Sequence, residues 1–385
     1  MSAKGSIVSI LAFVLISAPS PGPKLYANAV AHQVIQQRPI KLGTSGGNLK
    51  DRNRRTTYCC SGTLGALVTD GNGTYYILGN NHVLARLNHG IRGQIITQPG
   101  LIDADCALGP SNRVARFTAC IQLRAGAQRN FVDAALAQIT STNDVDVTGE
   151  ILEIGQPSTE TVVPALGSLV MKSGRTTGLT TGTVTAIDAT LGVAEARCNR
   201  RAHVRTFVKQ IIVTPNNFGN FAQGGDSGSL VVEATNPCPR VVGLLFAGSS
   251  TATAVNPIDE VLSALSAKLK KRLSGSFLSI VGCAPDELAD VRTPLVAAES
   301  SGAAAFGLEI SSLNAAEAAK SRHERQLLDV PGVVGIGVGR QKDDPTQATV
   351  EILVEKDSTG LRSSLPTSID GVPCHVIETG SFVAF

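Results

Sequence analysis

Between residues 62 and 246 the chain repeats one pattern, a short run of apolar and β-branched residues followed by a turn. Gly62-Thr-Leu-Gly-Ala-Leu-Val68 leads through Asp70-Gly-Asn-Gly73 into Thr74-Tyr-Tyr-Ile-Leu78, a hairpin. Further strands are expected at Arg113–Arg116, Phe131–Ile139, Leu169–Lys172, Thr181–Ile187, Phe207–Val213, Ser229–Val232 and Arg240–Phe246. Runs this short, each ended by turn chemistry, do not make helical bundles; they close on one another as a barrel or sandwich. Composition agrees, with 39 glycines, 4% aromatic residues and no Trp. A hydrophobic fraction of 43% is enough for proper cores, and 385 residues exceed what one core serves, so two or three domains are expected.

The two ends read differently from this body. The apolar run Ile7–Ala18 after Lys4 is too short to span a bilayer but suits a signal-peptide core, so residues 1–29 are expected to direct export to a secreted or periplasmic location, with an uncleaved anchor as the alternative. Residues 30–55 are polar and glycine-bearing and read as a leader crossing the surface. The β-rich body covers 56–272 and closes on a helix after Asn256-Pro-Ile-Asp259, in which Val261, Leu262, Leu265 and Leu269 share one face. Ser, Gly, Ala and Pro then dominate a linker over 273–307. Residues 308–385 read as a small α+β accessory unit. It comprises a helix over Asn314–Leu328 with an Asn314/Glu317 capping pair, then strands at Val333–Val338, Ala348–Lys356 and Val372–Glu378. The series Gly335-Ile-Gly-Val-Gly339 lacks the spacing of a nucleotide loop and reads as a strand packed closely on its neighbour.

Eight cysteines suit an oxidising compartment, and no bridge follows from their spacing. Neither C-x-x-C nor a paired His/Cys spacing occurs, so no metal and no cofactor are expected. A net charge of +3 is too small for a dedicated nucleic-acid or membrane-surface binder, and the densest basic run, Arg197–Lys209, reads as a solvated edge or loop.

Chemistry concentrates in Gly224-Gly-Asp-Ser227-Gly-Ser-Leu230, a hydroxyl set among glycines just before an apolar strand. A serine needs a base and needs donors for the charge that forms on an attacked carbonyl. The amides of Gly225 and Ser227 could face one point and act as those donors. His82 lies at the end of the first hairpin, where a rigid scaffold would fix its ring, whereas the rivals His89 and His203 lie in a turn and in the basic run. An orienting carboxylate could come from Asp103, Asp105, Asp133, Asp144, Asp146 or Asp188. Asp133 alone shares an apolar strand, with Phe131, Ala135, Ala137 and Ile139, and a half-buried carboxylate needs a partner.

The order His82, Asp133, Ser227 with Gly225-Asp-Ser-Gly228 resembles the chymotrypsin-like (trypsin-like) serine proteases. Cys60-Ser-Gly-Thr-Leu-Gly65, Thr176-Thr-Gly178 and Val241–Gly248 match further landmarks. More narrowly, Lys172–Val184 together with Gly225–Leu230 is similar to bacterial trypsin-like peptidases and to the narrow-leaf proteases of plants. The resemblance implies two six-stranded β-barrels over 56–272 and acyl transfer on a protein or peptide substrate. It assigns Ser227 as nucleophile, His82 as base, Asp133 as its orienting acid, and the Gly225 and Ser227 amides as oxyanion donors. Phe221, Phe246, Ala247 and Gly248 would border the substrate pocket, apolar or small in preference. Departures accompany it: Val83 stands where many relatives carry cysteine, no Ile-Val-Gly-Gly activation sequence occurs, and Phe246 replaces the serine that usually supports the aspartate. The alternative expectation is a catalytically silent protease-fold binding protein. The C-terminal unit is a candidate surface for homo-oligomer formation, and no stable membrane span is expected.

Overall fold

In the computed structural model, the strand run from Gly62 to Thr69 is broken at Gly65 and appears at both ends of one sheet. Its halves are β2 (Gly62–Leu64) and β3 (Ala66–Thr69). The remaining strands are β1 (Thr44–Asn48), β4 (Tyr75–Gly79), β5 (Ile95–Thr97), β6 (Arg113–Cys120) and β7 (Ala135–Ile139). Their order β3-β4-β7-β6-β5-β1-β2 therefore closes on itself as a six-stranded barrel, and Leu64, Leu67, Leu78, Ile96, Val114 and Leu136 are buried in one continuous core on its two faces. The structure describes residues 32–53, 58–195, 198, 201–216, 219–273, 277–284, 293–294 and 307–384. The expected export signal over 1–29 and most of the expected linker lie outside these residues.

The second barrel is built from β8 (Leu169–Gly174), β9 (Gly178–Glu195), β10 (His203–Pro215), β11 (Leu230–Glu233), β12 (Val241–Gly248) and β13 (Thr253–Pro257). The order β9-β8-β11-β12-β13-β10 is closed by pairing of β10 back onto β9. β9 and β10 outrun the barrel and continue as a long hairpin whose far rungs are Val193↔Arg205 and Glu195↔His203. α2 (Ile258–Leu273) follows, burying Val261, Leu265 and Leu269 in a cluster with strands of both barrels.

Three local expectations are corrected. Residues 44–48, within the stretch read as a surface leader, form β1, all five buried because β1 bridges β2 and β5 in the barrel wall. His82 lies on a one-turn helix, α1 (Asn81–Leu84), rather than at a hairpin end. Three disulfides form where none had been assigned: Cys59–Cys106, Cys60–Cys198 and Cys238–Cys283. Adjacent Cys59 and Cys60 thus diverge to different partners, and Cys198 ties the β9–β10 hairpin to the strand run that precedes α1.

The C-terminal residues comprise α3 (Ile310–Leu328), β14 (Val333–Arg340), β15 (Ala348–Val354), β16 (Val372–Glu378) and β17 (Phe382–Ala384). α3 begins one turn before the Asn314/Glu317 pair expected to cap it, with Glu309 at the N-cap. The segment read as an accessory unit shares the second barrel's sheet, since β14 pairs with β9 through Ile187↔Val338, Thr190↔Ile336 and Leu191↔Gly335. Its alternating glycines permit that close approach, as the sequence suggested. α3 covers the other face through Ala316, Ala319 and Leu327. No helix among the described residues is long and apolar enough to cross a membrane.

Candidate active site

α1 starts where β4 leaves the first barrel, and Asp133 sits in the segment just ahead of β7, the strand paired with β4. Asp133 is therefore outside a strand, contrary to expectation, but fully buried. His82 Nδ1 lies 2.5 Å from Asp133 Oδ2, which fixes the tautomer with Nδ1 as donor and Nε2 as acceptor. Asp133 Oδ1 accepts from the Asn81 amide at 2.6 Å and the His82 amide at 3.3 Å, so the helix start and the carboxylate lock each other. The Asp133 backbone is held in turn: its N–H donates to Asn256 Oδ1 at 2.9 Å and its carbonyl accepts from Asn80 Nδ2 at 2.8 Å.

The other candidate carboxylates have separate work. Asp103 accepts from both Nε and Nη2 on one edge of the Arg175 guanidinium and also accepts from Ser45. Asp144 pairs with Arg38, Asp188 pairs with Lys320, Asp146 caps its own turn at Thr148, and Asp105 ends a short turn of helix in the left-handed region.

Ser227 enters from the second barrel on the turn between Gly225 and Gly228. Both glycines have positive φ, +102° and +99°, and a side chain at Gly225 would collide with Arg175 and Thr176. Asp226 and Ser229 spend their amides within the turn, on Gln223 O and Asp226 O. The Gly225 and Ser227 amides donate to no group among the described residues. The loop seats on the first barrel, with Ser227 O accepting from the Thr63 amide at 2.8 Å and Gly225 O accepting from Thr63 Oγ1 at 2.9 Å. Ser227 is fully buried, and its hydroxyl donates to the Phe246 carbonyl at 3.1 Å.

Asp226, beside Ser227, has its partners inside the fold. Its Oδ1 accepts from the Thr176 amide at 2.8 Å, and its Oδ2 from Thr177 Oγ1 at 2.8 Å and the Gln223 amide at 2.9 Å. Lys172 Nζ stands 3.8 Å from Oδ2 and donates to Thr177 Oγ1 and Gly178 O. Burial pulls Lys172 down to about 8, partly opposed by Asp226.

The four expected pocket residues are placed less openly. Phe221 and Phe246 are 1% and 0% exposed: Phe221 packs among Val170, Val184 and Leu245 in the core of the second barrel, whereas Phe246, next to Leu245 on β12, packs in a separate cluster against Phe207 at 4.7 Å between ring centroids. Ala247 and Gly248 lie on β12, buried along its whole length. None of the four lines the three principal cavities among the described residues.

One site residue was not legible in the sequence. Glu195, last in β9, is fully buried, and it, His82 and Asp133 offer ligand atoms within 4.8 Å of one another. Burial first, and the Asp133 charge second, push Glu195 up to about 8, against smaller pulls from His82 and Arg205. That spacing would admit a cation, but His82 Nδ1 is already committed to Asp133 and both Asp133 oxygens already accept hydrogen bonds. The donor set therefore fits a proton better than a metal.

Two closed six-stranded barrels, with a His–Asp pair on one and a glycine-flanked serine on the other, define the chymotrypsin-like fold. The chain matches the model of the Nal1 C-terminal domain over residues 49–257, more than half its length, and belongs to that family. It is similar to Protein NARROW LEAF 1 of Oryza sativa subsp. japonica, 26% identical over 261 residues. That match takes 63% of this chain and 42% of the rice protein, so the chain spans about two fifths of that relative's length. Among solved structures it is similar to Thermobifida fusca Protease A, at a TM-score of 0.40 and 18% identity, covering 63% of this chain and 99% of that one. Cellulomonas bogoriensis chymotrypsin gives 0.39 and 17%, with coverage of 63% and 99%.

Proposed function

We propose that the chain is a serine endopeptidase acting on exported or extracellular protein. Ser227 Oγ attacks the scissile carbonyl as His82 Nε2 takes its proton; Asp133 holds the imidazole and stabilises the imidazolium. The Gly225 and Ser227 amides receive the oxyanion, and His82 returns the proton to the leaving amine. The acyl-enzyme then yields to water by the same steps. The observation that supports this reading is the 2.5 Å His82–Asp133 contact through Nδ1, together with a serine turn whose Gly225 and Ser227 amides are unspent. Before attack the Ser227 side chain must turn from Phe246 O toward His82. Asp226 is already bound by Thr176, Thr177 and Gln223, so the oxyanion loop needs no freed N-terminus to form. Three disulfides support an oxidising location.

Full burial of Ser227 and its bond to Phe246 O favour a second reading, a silent protease-fold binding protein. A fluorophosphonate probe separates the two. Labelling of the wild type and not of Ser227→Ala is expected; well-folded wild type that stays unlabelled after its cleft is opened refutes the peptidase.

A further inference from the structure

Glu195 Oε1 and Oε2 make no hydrogen bond, and Arg205 Nη1, 3.3 Å from Oε2, approaches at an angle that makes none. The charged or titratable groups facing it are Asp133, His82 and Arg205, with the exposed His203 across the ladder. Two facing carboxylates are both acceptors, so neither can bond the other until one carries a proton. Asp133 already uses its oxygens to hold His82 and the start of α1, which makes Glu195 the member free to hold the proton. We propose that Glu195 is a positioning residue for the His82–Asp133 pair: a neutral carboxylic acid that donates a hydrogen bond to Asp133. This rests on the peptidase reading only for its catalytic consequence.

The test has one arm that needs no turnover. In a Ser227→Ala background, the His82 imidazole is titrated by NMR with and without Glu195→Gln. A neutral Glu195 predicts the same midpoint in both, because Gln replaces one neutral donor with another. An ionised Glu195 predicts that Gln lowers the midpoint by a unit or more, since an anion beside the imidazolium is lost, and that result overturns the proposal. In the second arm, Ser227 labelling should survive Glu195→Gln and slow about ten- to hundredfold in Glu195→Ala, the size of a lost hydrogen bond to a charged group. Folded Glu195→Ala that labels at the wild-type rate also overturns it. If no protein labels, the peptidase reading falls and the midpoint alone decides.

A separate observation concerns β17. It runs antiparallel to β12 through Gly248↔Val383 and Ala247↔Ala384, and parallel to β9 through Val193↔Phe382 and Ala194↔Val383. Elsewhere both edges of β12 are taken, by β11 and β13. The β17 edge leads from Gly248 through Ala247 toward Phe246, whose carbonyl holds the Ser227 hydroxyl. A strand laid there in the direction of β17 therefore advances toward the nucleophile, and Phe382 anchors it in the cluster of Phe207 and Phe246. We infer that β17 is an internal competitor for the strand edge that an extended apolar substrate needs, so the resting chain blocks its own site.

This second inference also rests on the peptidase reading. A chain ending at Ser381 is compared with the full chain and with Val383→Pro, which breaks the pairing while keeping Phe382. Both altered chains should label at Ser227 at least tenfold faster, and the synthetic pentapeptide Ser-Phe-Val-Ala-Phe should reverse the gain in the shortened one. Fluorescence anisotropy of the labelled pentapeptide should show binding to the shortened chain and much weaker binding to the full one. Equal binding to both, or unchanged labelling in folded Val383→Pro, refutes the inference. Absence of labelling in every chain removes the peptidase reading and leaves anisotropy to decide whether the edge accepts a strand.

Discussion

Glu351 offers a measure of electrostatics in this fold that is independent of catalysis. It lies on β15, 6% exposed, and burial pushes it up to about 8, with only Lys342 pulling the other way. Its ordinary value is 4.5, so between pH 5 and 8 the folded chain keeps a proton there that the unfolded chain has lost. Stability must then fall as pH rises through that window, by about 1.4 kcal/mol per pH unit for one proton. Over three units the fall is about 4 kcal/mol, a large share of the ~5–15 kcal/mol typical of a folded protein. Glu351→Gln keeps the shape and removes the proton. Urea unfolding with disulfides intact, at pH 5, 6, 7 and 8 and constant ionic strength, gives the free energy of each chain. The new amide adds a constant offset, so the informative quantity is how the difference between variant and wild type changes with pH. It should grow in favour of the variant by about 1.4 kcal/mol per unit and level off above pH 8. Glu195 has the same direction and value, so Glu195→Gln should add a second slope of equal size, and the double variant should sum the two. Lys172, down to about 8, changes charge only at the top of the window. Parallel lines for wild type and Glu351→Gln would refute the reasoning, because they would mean the carboxyl is ionised and solvated in the folded chain.

Lys172→Met should leave Asp226 without its buried cation and destabilise the chain by about 3 kcal/mol, as removal of one member of a buried pair does; thermal unfolding together with Ser227 labelling reads the loss. Opening Cys60–Cys198, which spans 138 residues, by replacing both with Ser should cost about 2–4 kcal/mol in urea unfolding. That bridge also pins the β9–β10 hairpin, so the same variant should lose the Glu195→Gln effect on pH dependence if the hairpin lifts and Glu195 becomes solvated.

The parts legible in the sequence are those whose chemistry is local. Ser227 is announced by Gly225 and Gly228 around it, and the hairpin that opens the first barrel by the turn after Val68. His82 is legible from its place at the end of a hairpin and Asp133 from its apolar context, although their supports are a helix start and a pre-strand loop. What could not be read is set by pairings between distant residues. β1 looked like leader because its glycine-bearing sequence carries no alternation, yet both of its edges are satisfied by other strands. The basic run near Arg197–Lys209 read as solvated, whereas Arg205 is 8% exposed beside Glu195. The pocket expected from Phe221 and Phe246 depended on a likeness of position; both side chains are buried, Phe221 in the core of the second barrel and Phe246 in a separate cluster with Phe207 and Phe382.

These nonlocal features converge on one arm of the molecule. The β9–β10 hairpin carries Glu195 to Asp133, offers Val193 and Ala194 to β17, and is tied by Cys198 to the strand run before α1. On the peptidase reading proposed above, this one element joins the polarity around the His–Asp pair, the edge that β17 occupies, and the oxidation state of the chain. A reducing environment that opens Cys60–Cys198 should loosen all three together, since one rigid element holds them. Measuring Ser227 labelling against reductant concentration in the full chain and in Cys198→Ser distinguishes this coupling from independent effects: the variant should start at the reduced-state rate and ignore added reductant. A variant that still responded in full would place the redox control at one of the other two bridges and break the link between hairpin and site.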